Sequence, residues 1–146
     1  MTDFLKVRYD LDTHGWSDLY LEKGNKSHAI RITHVFDCPI ESMIQFVEDI
    51  KFGNYPTNLI LHDEPGAHIL KLSPRKSGMP ELQIFWTNHN FQSIHDGELI
   101  ATYEVVPSFL ATQIIAELGR IEILMRHKVY QKNRSHFPAH LLKKIK

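Results

Sequence analysis

Ile40, Ile44, Val47 and Ile50 recur at helical spacing, and Leu110, Ile114, Leu118, Ile121 and Met125 do so again near the other end of the chain. Each set forms a stripe that buries one side of a helix. Elsewhere the apolar residues alternate with polar ones, the period of a strand with one buried face. Residues 4–9, Leu19–Leu21, His28–Phe36, Thr57–His62, His68–Leu72, Leu82–Trp86 and Leu99–Val106 read this way. The segments between them carry turn chemistry, such as Gly24-Asn25 and Asp63-Glu64-Pro65-Gly66. The order is βββ-α-ββββ-α. Short turns between consecutive strands favour antiparallel pairing. The expected fold is therefore α+β: an antiparallel sheet of about six to seven strands with two main helices packed on one face.

Local signals set the helix limits. Pro39 suits a first helical position, Asp37 or Cys38 can cap, and Gly53-Asn54 is a stop. Pro107-Ser108 opens the second helix, which the stripe carries to about residue 132. Pro138 interrupts helical structure after that point, and a short final turn is expected over His140–Ile145. A length of 146 residues suits one domain, 1–146, with its own core. Neither apolar cluster, Leu59–Leu61 or Ile114–Met125, is long and uncharged enough to cross a bilayer, so no membrane partner is expected. The first residues lack the pattern of a signal peptide, and the lone Cys38 excludes an internal disulfide; both point to the cytoplasm.

Charge is divided along the chain. Residues 1–122 carry all 17 acids and 10 bases, a net of −7, whereas residues 123–146 carry seven bases and no acid, a net of +7. The basic end could complement the negative C-terminal end of its own helix. It could also touch nucleic acid, since Tyr130 and Phe137 accompany the cations. The acidic body and a pI near 7.2 argue against direct nucleic-acid binding.

Catalytic signatures are few. No glycine-rich phosphate loop or nucleophile elbow is present. Ten histidines raise the question of metal. His62, Glu64 and His68 flank one turn, and His34 could add a ligand, but the spacing lacks a compact helical pair and a surface turn is the commoner meaning. Cys38, at a helix N-terminus, is placed where a thiolate would be favoured, although a packed junction residue is the simpler account. A metal- or cysteine-dependent enzyme is thus the alternative to a binding protein. No cofactor is expected. On the strand Leu82–Trp86, alternation sends Trp86 to the core and Gln83, Phe85 and Thr87 to the other face.

The segment from His34 through Asp37-Cys38-Pro39-Ile40, the helix closing at Phe52-Gly53, and the run Leu59-Ile60-Leu61-His62-Asp63-Glu64-Pro65-Gly66 together resemble small bacterial immunity proteins of polymorphic-toxin systems, including contact-dependent inhibition. The resemblance implies a cytoplasmic, non-enzymatic protein that blocks one toxin by tight association. That family has no shared binding motif, so no residue role is carried over. If the toxin is a basic nuclease, acids on turns are the expected contacts. Those are Asp10, Asp12, Asp18, Asp63, Glu64, Asp96 and Glu98, with Phe85 on an open sheet face.

Overall fold

A computed structural model describes residues 4–35, 37–88 and 97–146. Its strands are β1 (Lys6–Leu11), β2 (Trp16–Lys23), β3 (Lys26–Thr33), β4 (Thr57–His62), β5 (Ala67–Ser73), β6 (Glu81–Thr87) and β7 (Glu98–Glu104). The helices are α1 (Pro39–Lys51), α2 (Pro107–Leu124), α3 (Lys128–Gln131) and α4 (Ala139–Ile145). The α+β class holds, and α3 and α4 follow the expected βββ-α-ββββ-α.

The strands form two antiparallel sheets rather than one, β1-β2-β3 and β4-β5-β6-β7. The division falls where α1 enters the chain between β3 and β4. β4 is held towards that helix, with the Thr57 hydroxyl donating to Asp49 Oδ2 at 2.6 Å. Both sheets turn their apolar residues inward. Leu19, Leu21, Ile30 and Ile32 from one meet Leu59, Leu61, Leu70, Leu72, Leu82 and Ile84 from the other in a single core. α1 packs on β4, α2 runs along β1, and the two helices pack on each other. Ile40, Ile44, Val47 and Ile50 from α1 and Leu110, Ile114, Leu118 and Ile121 from α2 are all buried, as their stripes require.

Side chains take up backbone groups along the outer strands β1 and β7, which hinders further strand pairing there. On β1 the covering comes from one face of α2. Gln113 Oε1 accepts from Val7 N at 2.9 Å, and Glu117 Oε1 accepts from Tyr9 N at 2.8 Å. Gln113 Nε2 donates to Leu5 O at 2.5 Å. On β7, Lys23 and Lys26 of the β2–β3 hairpin donate to the carbonyls of Glu104 and Thr102 at 2.8 and 2.6 Å. His28 and the Tyr103 hydroxyl, 2.9 Å apart, join the two sheets at the same place.

The chain departs from the sequence expectation at its C-terminal end. α2 stops at Leu124, not near residue 132. Met125 is the last stripe residue with core to face, and beyond it the chain turns. Gln131 Nε2 donates back to the Met125 carbonyl at 2.9 Å, covering the helix end. Arg134 then ties the segment to the first sheet, donating to the carbonyls of Asp12, Trp16 and Tyr130. Gly15 is needed there: its φ is +84°, and a Cβ would lie 2.9 Å from the Asn133 carbonyl oxygen.

Candidate functional site

The outer face of β1-β2-β3 gathers three of the expected acids. Tyr9, Leu11, Leu19 and Leu21 point to the core, so alternation turns their neighbours outward. Asp10 and Asp18 lie directly opposite one another in the β1–β2 register. Two adjacent carboxylates repel, and arginines resolve the conflict. Arg8 Nε sits 2.7 Å from Asp10 Oδ2, and Arg120 of α2 sits 2.9 Å from Asp10 Oδ1. Arg31 bridges Asp18 at 2.8 Å and Asp12 at 2.9 Å. Hydrogen bonding from Arg31 is the main reason the Asp12 carboxyl is held below its usual range.

Aromatic groups are set into this lattice. The Arg31 guanidinium lies over the Trp16 ring, 5.2 Å from its centre. Tyr20 is 40% exposed and sits between Arg8 and Ala29 in the strand register. Lys6, Arg8, Asp10, Tyr20 and Glu22 line a shallow groove. Lys6, Arg8, Tyr20, Glu22, Ser27 and Ala29 are all exposed, so this face is open to solvent.

The remaining expected residues lie elsewhere. Asp63 and Glu64 occupy the β4–β5 turn, where Asp63 Oδ1 accepts from Glu64 N at 2.7 Å. That bond makes Asp63 a turn-shaping residue. Glu98 is exposed at the start of β7, across from Trp86. Phe85 is half-buried on the outer face of the second sheet, in a cross-strand row with Ile60, Ile69 and Leu99. Gln83 shares that face, but Thr87 is buried on it, 5% exposed. Asp96 lies outside the described residues. The acids therefore do not converge on one patch, because the chain splits them between two sheets.

The enzyme alternatives do not assemble. His62 pairs with Ala67, whereas His68 pairs with Leu61, so the two histidines project from opposite faces of the sheet and cannot share a metal. His62 Nε2 lies 3.6 Å from Asp37 Oδ2. His68 tilts against Trp86, ring centres 4.7 Å apart, and its buried Nδ1 has no hydrogen-bond partner among the described residues. Among the described residues no three His, Cys, Asp or Glu side chains are grouped to hold a metal. Burial pushes the Cys38 thiol up, and this outweighs the opposite pull of the Glu41 and Ile40 amides at the helix start. The thiolate is disfavoured at neutral pH.

One hydroxyl–imidazole arrangement escaped the sequence reading. The Tyr9 hydroxyl is 2.8 Å from Ser17 Oγ, which is 3.3 Å from His34 Nε2. Ser17 is 0% exposed and Tyr9 1%, so substrate has no route to them. Burial, with Arg134 adding to it, lowers His34 to a pKa of about 4, a poor base at neutral pH. The cluster joins β1, β2 and the end of β3 beneath the open face. Arg8, Tyr20 and Arg31 also escaped the sequence reading. The signal was available in principle: all three alternate outward in strands whose inward residues are plain.

Comparisons with protein-family models, with curated proteins and with solved structures gave no match. The functional reading therefore rests on the chemistry of these surfaces.

Proposed function

We propose that this chain is a non-enzymatic binding protein that docks a protein partner on the open face of β1-β2-β3. The observation that carries the reading is Tyr20, exposed across from Arg8 and next to the ion-paired Asp10–Asp18 row, with Trp16 held at the far margin by Arg31. Tyr, Trp and Arg are the residue types that dominate binding energy at protein interfaces. Here the ion pairs and the strand backbone fix their positions in advance, which lowers the entropy lost on docking.

The partner we propose is a toxin, in line with the resemblance of residues 34–66 to immunity proteins, and a basic nuclease fits the acidic body. Steering and contact then fall to different groups. The −7 of residues 1–122 draws a cationic partner over distance. At contact, Asp10, Asp12 and Asp18 are already paired with arginines, so the docked surface must carry both signs of charge.

The test is co-expression with the product of the adjacent reading frame. The expected outcome is a 1:1 complex by light scattering, and survival of cells that the partner alone kills. A chain that neither binds nor protects against any neighbouring product would end this reading.

A further inference from the structure

We infer that α4 at the basic C-terminal end, with the groove beside it, is a binding surface for the phosphate backbone of single-stranded nucleic acid. This is carried by residues other than those of the sheet face, and does not depend on the protein-docking reading. The ordinary explanation for these cations is that they complement their own helix. That explanation covers Lys128 in the last turn of α3 and Lys143 and Lys144 in the last turn of α4. It does not cover Arg126, Lys132 and Lys146, which follow the last turns of α2, α3 and α4. Internal pairing does not account for them either. The arginines of the body, Arg8, Arg31, Arg75 and Arg120, all make ion pairs. Arg126, Lys128, Lys132, Lys143, Lys144 and Lys146 are all exposed, and none makes an ion pair among the described residues. Arg134 alone of the seven C-terminal cations is turned inward.

The surface has shape as well as charge. α4 buries Leu142 and Ile145 against the body and presents His140, Lys143 and Lys144 outward. Its terminal Lys146 joins Lys51, Tyr55, Ser108 and Thr112 in lining an open groove of about 580 Å³. That is the size range of small-ligand sites, ~300–1,000 Å³. Lys51 Nζ donates to Ile145 O at 2.5 Å, which fixes one cation at the groove wall. The groove also runs past the start of α2, which has no acid in its first turn and no side-chain cap. Exposed cations for phosphate and hydroxyls for hydrogen bonding are elements of a single-strand track, while the Tyr55 ring packs against the core. An acidic membrane fits less well, because α4 spends its large apolar residues on the core and keeps none to insert into a bilayer.

The test uses the full chain and a fluorescein-labelled 20-nucleotide poly(dT), followed by anisotropy at several salt concentrations. Saturable binding at ~50 mM salt that weakens steeply towards ~200 mM is expected. The variant Lys143→Gln/Lys144→Gln/Lys146→Gln alters only exposed side chains, and a thermal melt will check its fold. It should bind at least ~10-fold more weakly at low salt, and its log–log salt slope should be shallower by about 2, at about 0.7 per lost phosphate contact. Vesicles containing phosphatidylserine serve as the competing probe. Absence of saturable oligonucleotide binding, an unchanged triple variant, or stronger binding to the vesicles would each overturn the inference.

Discussion

Replacing Gln113 by methionine should loosen β1 without disturbing the core. Methionine keeps the length of the side chain but neither donates nor accepts usefully. The change strips two partners from the β1 edge: the acceptor for Val7 N at 2.9 Å and the donor to Leu5 O at 2.5 Å. A buried backbone group left unpaired costs about 1–3 kcal/mol. This edge is only partly buried, so water can reach it and the lower end applies, giving about 2 kcal/mol for the pair. In a chain of this size each kcal/mol lowers the midpoint by about 2–4 °C, so a loss of about 4–8 °C is expected. Urea titration measures the free energy, and amide hydrogen exchange at Val7 locates it. Thr112→Met on the exposed side of the same helix is the control, with a change within about 0.5 kcal/mol. If Gln113→Met matches the wild type in both stability and Val7 protection, α2 is not what closes the β1 edge.

Three further outcomes are expected of the same structure. His34 has a folded pKa of about 4 against ~6.5 for a free imidazole, so the unfolded chain takes up a proton that the folded chain refuses. Stability should therefore fall as pH drops from ~6.5 towards ~4, and His34→Gln should flatten that slope in denaturation curves taken at several pH values. Gly66→Ala should destabilise by about 2 kcal/mol or more and lower the melting temperature, because φ is +97° and a Cβ would lie 2.2 Å from the Thr87 carbonyl oxygen. Cys38, half-buried and with a raised pKa, should react with a thiol reagent at neutral pH more slowly than free cysteine.

Periodicity exposed the elements but not their assembly. α1 was legible at both ends, since Pro39 opens it and Phe52-Gly53 closes it within the local sequence. The alternation of Leu82 and Ile84 against Gln83 and Phe85 also placed those residues rightly, but Trp86, expected in the core, is only half-buried beside His68, and Thr87 is buried. The split into two sheets was not legible, because nothing in β3 or β4 says whether they pair with each other. Nor was the end of α2. The stripe through Met125 is truthful, but the chain then bends to satisfy bonds from Arg134 to Asp12 and Trp16, more than a hundred residues away in sequence. At the candidate site, Asp10, Asp12 and Asp18 were visible as turn acids. Their partners Arg31 and Arg120 were not, since cross-strand register and a helix packed along β1 bring them there.

The face around Tyr20 is the proposed docking surface. Isothermal titration of the partner into wild type, Tyr20→Ala and Phe85→Ala tests it directly. Tyr20→Ala should bind at least ~30-fold more weakly, about 2 kcal/mol as for an interface anchor, and Phe85→Ala on the other sheet should change binding little. Undiminished binding by Tyr20→Ala, with the loss appearing in Phe85→Ala instead, would contradict it.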